Sequence, residues 1–369
     1  MNKLNRRMDS LQQGDPGMPI NVTRRNMLEL LAGAAVAPVS LSAAPASAQS
    51  LPPLRVTHFG GPYQVMREII AEPFAKDGLG QVSYEVETGP TSVTKMQSQR
   101  DTPPFDVTMI SRSFAFRALN AGLLQKLAPS DIQDAASLRP GSIAASGSGV
   151  ALMFDAMEIM VDTRQVKEPI TSWLDLWRPD LKGKIMLPAA FNGGATVPFI
   201  GCIVRALGGD ENNDAAVNEA FARLKALKSS VRGFYSDGNQ PMEVIERGDI
   251  AVGAQFLIRI ANLNRRSPHI VNVTPKEGAC AVPYDLCIPA GIKSTDLART
   301  YVNYALKGDV QKKLAERLLV TPSRLGVEVS SDVRPLIITD PSQMFFMDDA
   351  VTAKKQQAWL DRYTREVQS

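Results

Sequence analysis

KIMLPAAFNGGATVPFIGCIVRAL (residues 184–207) reads as three pieces joined end to end. Residues 184–188 are a short apolar run of strand type, 189–196 break it with Gly193 and Gly194, and 197–207 return to apolar residues at helical length. The same unit recurs along the chain. LRVTHF (54–59) leads into GGPYQVMREIIAEPFAK (60–76), FDVTMI (105–110) into SRSFAFRALNAGLL (111–124), and DIAVGAQ (249–255) into FLIRIANLNRR (256–266). Strands alternating with helices predict an α/β protein with largely parallel sheets. Pro62 suits a first helical position, and Ser111 or Ser113 is placed to cap the helix that follows 105–110. In such sheets ligands bind beyond the carboxyl ends of the strands, where backbone N–H groups at helix starts face a crevice. Each strand-to-helix turn is therefore a candidate site.

The first 48 residues belong to a different logic. Arg24 and Arg25 precede a modest apolar run from Met27 to Val39, which Glu29, Gly33 and Pro38 interrupt. A membrane span needs about 18 apolar residues, so this run is too short to anchor. A basic start, a short apolar centre and Ala46-Ser47-Ala48 ahead of Gln49 have the layout of a cleavable export signal. Thr23-Arg24-Arg25-Asn26-Met27-Leu28 resembles the twin-arginine signature, which predicts export of a folded protein. No cysteine follows the run, so the expected product is a soluble periplasmic protein without a lipid anchor.

Removal of 1–48 leaves 321 residues, about two domains' worth. Hydrophobic residues make up 44% and charged residues 21%, an ordinary globular balance that excludes a largely disordered or membrane-embedded chain. The net charge of +3 falls to +1 once the leader, with five Lys/Arg against three Asp/Glu, is gone. No basic cluster interleaves with aromatics, so nucleic acid is not an expected partner. Cys202, Cys280 and Cys287 are an odd set, leaving at least one thiol unpaired. Cys280 and Cys287 would lie about 23 Å apart on one straight strand, beyond disulfide reach, so buried free thiols are expected. His58 and His269 are the only imidazoles. That is too few for a His-rich metal site and a poor supply of general bases, so neither a cofactor nor an enzyme is expected.

ITSWLDLWRPDLKGKIMLP (170–188) closely resembles the segment in which polyamine-type extracellular solute-binding proteins of ABC importers cross into their second lobe. PKEGACAVPYDLCIPAGIKSTDLARTYVNYALKGDVQKKLAE resembles the return crossing, and 103–127, IERGDIAVGAQ (245–255) and WLDRY (359–363) also match. The resemblance implies a type II periplasmic-binding-protein fold, with two α/β lobes joined by a hinge and a ligand cleft between them. It places lobe 1 in 54–160 plus 282–328 and lobe 2 in 161–281 plus 329–369, with the C-terminal helix on lobe 2. It also implies an inner-membrane permease as partner, a small-molecule solute as cargo, and a monomer. Trp173 and Trp177, four apart, are expected in core and hinge packing. A cysteine enzyme on the same architecture, using Cys202 or Cys280, is the less favoured alternative.

Polyamine binders of this family use carboxylates and aromatics, since ammonium capture needs both. Here the turn after 184–187 reads Ala189, Ala190, Phe191, Asn192, Gly193, without acids. The family's return-strand aspartate falls on Tyr284, with Asp285 one residue on and expected on the opposite face. Arg112 lies where the resemblance puts first-lobe contacts, and an arginine grips carboxylate or phosphonate bidentately. The candidate ligand-binding set is Phe59, Gly60, Gly61, Tyr63, Ser111, Arg112, Ser113, Asn192, Gly193, Gly194, Phe256, Tyr284 and Asp285. An anionic or zwitterionic solute is the leading expectation, and spermidine or putrescine the alternative.

Overall fold

The computed structural model describes residues 52–190 and 193–369. The export signal and Asn192 lie outside the described residues. The described strands are β1 (Leu54–His58), β2 (Val82–Val86), β3 (Val107–Ser111), β4 (Val150–Asp162), β5 (Ile185–Pro188) and β6 (Val231–Tyr235). They continue with β7 (Val252–Phe256), β8 (Ile270–Val273), β9 (Ala279–Cys287), β10 (Thr321–Pro322) and β11 (Met344–Phe345). Hydrogen bonding orders them β2-β1-β3-β9-β4-β7-β5-β6, with β8 and β10 on β4 and β11 on β9.

The predicted units sit at the two ends of this order. β1 is parallel to β2 and β3, and β5 is parallel to β6 and β7. Between them run β4 and β9, antiparallel to each other and to β7 and β3 respectively. Parallel neighbours need helical crossovers, which is why the short strands carry the strand–turn–helix signature. β4 is buried along all thirteen residues. Covered on both faces, it reads VALMFDAMEIMVD with no polar alternation.

Apolar side chains segregate into separate cores. One gathers Val56, Ile70, Phe74, Val107, Leu152, Leu286, Tyr301 and Leu314. Another gathers Ile159, Trp173, Leu187, Phe199, Phe221, Val252, Cys280 and Tyr363. Phe256, at the end of β7, packs against both. Trp173 is fully buried in the second core and Trp177 packs at its edge. In the helical run after Gly60, Ile69 and Phe74 are buried as their spacing predicts. Cys202, Cys280 and Cys287 are all buried and free, the last two on the single strand β9.

The C-terminal helix Asp349–Tyr363 sends Trp359 and Tyr363 into the second core. Its N-terminal part also lies against helix Arg112–Asn120, which follows β3. This helix therefore joins the second core to the helix that follows β3.

Candidate solute-binding site

The turn after β1 brings the first aromatic residues together. Gly60 sits at φ 75°, and a Cβ there would lie 2.8 Å from Val86, so both conformation and space favour glycine. Its N–H donates to His58 Nδ1 at 2.8 Å. Burial lowers the His58 pKa, which keeps this acceptor nitrogen unprotonated. Phe59 and Tyr63 then meet edge-on at 5.4 Å between ring centroids, and Tyr284 of β9 completes the group at 5.1 Å from Phe59. Such edge contacts suit the ring quadrupoles. Tyr63 and Tyr284 also meet edge-on at 6.3 Å between ring centroids, and burial raises both pKa values, so both hydroxyls remain protonated. Ser111 pairs with Tyr284 across β3 and β9 and stands, half-buried, at the N-cap position of the next helix without a capping bond. Ser113 is also half-buried, one residue into that helix.

Behind the rings lies Asp155, a residue the sequence reading passed over. It is 2% exposed, and its Oδ1 accepts from the amides of Ala156 at 2.9 Å and Ile258 at 3.1 Å. Its Oδ2 accepts from the Tyr284 hydroxyl at 3.3 Å. Burial pushes the Asp155 carboxyl up to about 6, and those hydrogen bonds oppose the shift. No cation forms an ion pair with it among the described residues. The available sequence signal was an Asp set inside the apolar run of β4, since charged residues are rarely buried without a task.

The facing wall comes from β7 and the helix that follows it, Leu257–Arg266. Phe256 starts the turn, Ile258 supplies the amide to Asp155, and Arg259 comes next. Arg259 is exposed and donates to Asn239 Oδ1 at 2.8 Å. Its guanidinium lies over Gly238, where a Cβ would stand 2.7 Å from Nε. The Gly238 carbonyl accepts from Gln255 Nε2 at 3.0 Å, which fixes the turn.

Arg112 and Asp285 require a correction. Both lie within the chain's interior and engage each other: Nε donates to Oδ2 at 2.9 Å and Nη2 to Oδ1 at 2.8 Å. Nη1 and Nη2 also donate to the carbonyls of Gly141, at 2.6 Å, and Ser142, at 3.0 Å. The bidentate face expected to hold an acidic solute is thus occupied by a carboxylate of the protein. Burial works against the guanidinium charge and Asp285 more than offsets it, so Arg112 stays charged. Burial also raises the Asp285 pKa, with Arg112 opposing. Asp349, at the start of the C-terminal helix, feels the same guanidinium and is pushed up to about 6 by its own burial. The cause is strand alternation: Tyr284 faces the aromatic group, so Asp285 must face away.

Gly193 and Gly194 open helix Gly193–Ala206, whose Thr196 hydroxyl donates to the Ala189 carbonyl at 2.7 Å. Ala190 N–H donates to Gln368 Oε1 at 2.8 Å, so the C-terminus braces the turn before this helix.

A family model for the bacterial extracellular solute-binding protein matches residues 70–341. The chain belongs to this family. Among its relatives, the spermidine/putrescine-binding periplasmic protein of Escherichia coli (strain K12) is 28% identical over 281 residues, covering 71% of this chain and 78% of the relative. The solved structure of an ABC transporter from Clostridium perfringens ATCC 13124 matches with a TM-score of 0.76 at 26% identity, over 85% of this chain and 99% of that one. A putative extracellular solute-binding protein from Bordetella parapertussis shares the fold, with a TM-score of 0.76 at 20% identity over 85% and 98% of the two chains. The solute-binding protein therefore has the two-lobe fold and is the substrate-binding component of an ABC transporter. Its family consists of transport binding proteins that deliver small molecules to a membrane permease, and its relatives are periplasmic or extracellular.

Proposed function

We propose that this solute-binding protein captures a small amine-bearing solute between its lobes and hands it to an inner-membrane permease. The reading is carried by Asp155, a carboxylate almost wholly buried beside Tyr284 of the aromatic group, with amide and hydroxyl donors but no ion-pair partner among the described residues. An uncompensated buried charge is costly, and a solute ammonium supplies the missing counter-ion. Aromatic faces add cation–π attraction to the same group. The polyamine named for the Escherichia coli relative supports an amine as well.

The binding set we assign is Phe59, Gly60, Gly61, Tyr63, Ser111, Ser113, Asn192, Gly193, Gly194, Phe256 and Tyr284, with Asp155 added and Arg112 and Asp285 withdrawn. We assign lobe limits of 54–160 plus 282–328 for the first lobe and 161–281 plus 329–369 for the second. We further assign export by the twin-arginine route, a periplasmic location, a monomeric state, no nucleic-acid partner and no catalysis. Burial raises the Cys202 and Cys280 thiols well above their ordinary pKa, the reverse of what a nucleophile needs.

Calorimetric titration with 1,4-diaminobutane, spermidine and 4-aminobutanoate tests the amine reading. Asp155→Asn should weaken every amine that binds the wild type by tens-fold or more, typical for removing one partner of a desolvated charge pair. Unchanged amine binding in that variant overturns the reading.

A further inference from the structure

Arg259 is the second charged group of the same face, and no carboxylate among the described residues forms an ion pair with it. Its helix neighbours are satisfied: Arg266 pairs with Glu246, and Arg265 donates to the Glu316 carbonyl. Arg259 donates only to the neutral Asn239 and forms no ion pair among the described residues. It is nevertheless held in place, with Gly238 beneath the guanidinium and Asn239 at its tip. It stands one residue from the Ile258 amide that binds Asp155, and its charge reaches Asp155, Tyr63 and Tyr284 without touching them. A buried negative group and an exposed positive group thus share one aromatic-lined face, each without an ion-pair partner among the described residues.

We propose that Arg259 is the second-lobe half of the site and that the solute is a zwitterion, with its ammonium toward Asp155 and its carboxylate or phosphonate on Arg259. The proposal rests on the amine reading above and deepens it. A diamine would set its second ammonium beside Arg259, and a simple acid would set its charge against Asp155, so both are rejected by like-charge repulsion. A solute of both charges satisfies each group, and an arginine's planar fork suits either acid. Gripping both walls at once also links occupancy to lobe closure.

The test is calorimetry of the wild type, Arg259→Gln, Arg259→Lys and Asp155→Asn with ω-amino acids of two to six carbons, 2-aminoethylphosphonate, the diamines of equal length, and spermidine. Arg259 is exposed, so its variants are expected to fold, and thermal unfolding of each checks this. At least one zwitterion should bind the wild type more tightly than the diamine of the same length. Arg259→Gln should weaken it at least tenfold, Arg259→Lys should recover part of the loss, and diamine binding should stay level or tighten. The carboxylate and phosphonate arms then identify which acid is read. A diamine or spermidine that outbinds every zwitterion, no binding by any zwitterion, or zwitterion binding indifferent to Arg259→Gln overturns the proposal. Diamine binding that needs Asp155 and ignores Arg259 overturns the zwitterion alone, whereas binding indifferent to Asp155→Asn overturns the amine reading with it.

Discussion

Tyr284 and Asp285 are chain neighbours on β9 and serve opposite faces, one lining the aromatic group and the other closing on Arg112. Arg112→Ala leaves the Asp285 carboxylate buried and unpaired, so urea denaturation should show a loss of about 3–5 kcal/mol. Solute affinity in the surviving folded protein should change little, since neither residue lies on the aromatic face. Asp155 gives a second prediction. With its carboxyl pushed up to about 6, amine binding should weaken below that pH by about tenfold per unit. In Asp155→Asn the calorimetric pH profile should be flat. Glu158, fully buried on β4 with Oε2 unpaired, is pushed up to about 7 by burial, while Thr274 opposes the shift. Its folded-state pKa lies above the unfolded one, so its contribution to stability is complete below about 4 and lost as pH rises through about 7. Glu158→Gln should therefore gain on the wild type between pH 5 and 8.5, by up to about 3 kcal/mol in denaturant titrations.

At the scale of elements, the strand–turn–helix units were legible because an apolar strand run passes through a break into helical spacing over 54–76, 105–124 and 184–207, with glycine pairs marking the first and last of these turns. β4 was not, because its polar residues interrupt an apolar run without a period, and only pairing with β9, β8 and β7 reveals what Asp155 faces. The turn at Gly238 and helix Leu257–Arg266 act as one unit in positioning Arg259. Gly238→Ala would drive a Cβ into the guanidinium. It should weaken zwitterion binding several-fold in calorimetry while leaving diamine binding nearly level. The C-terminal tail is a second composite element. Val367 is fully buried and Gln368 braces Ala190. Truncation after Tyr363 should cost about 2–4 kcal/mol, a buried valine plus one hydrogen bond, read as a lowered denaturation midpoint.

For the whole molecule, the two largest of the apolar cores flank β4 and β9, which run between the parallel ends of the sheet order, and Phe256 touches both. A solute that contacts residues from both sides selects the closed state in proportion to its preference for it. Small-angle scattering should show a smaller radius of gyration with a saturating solute, and an unchanged radius would count against closure. Export is tested at the same scale: lysine at both Arg24 and Arg25 should leave the precursor in the cytoplasm, because the twin-arginine pair is read by a receptor. Periplasmic fractionation of that variant gives the answer.

Period, turn chemistry and composition were enough to define an α/β protein with strand-to-helix turns around a cleft, because these follow from local backbone preference and from which face must be buried. Phe59 and Tyr63 could be nominated the same way, since they flank the glycine turn after β1, whereas Tyr284, inside β9, came only from the resemblance. Partnership between charges was decided only by the tertiary structure. Residues 112 and 285 are far apart in sequence, as are 155 and 284, yet strand register brings the first pair into a closed ion pair and the second into a hydroxyl–carboxylate contact. A carboxylate's role depends on what neutralises it, and across such separations that is a property of pairing and packing, with no periodic trace in the chain.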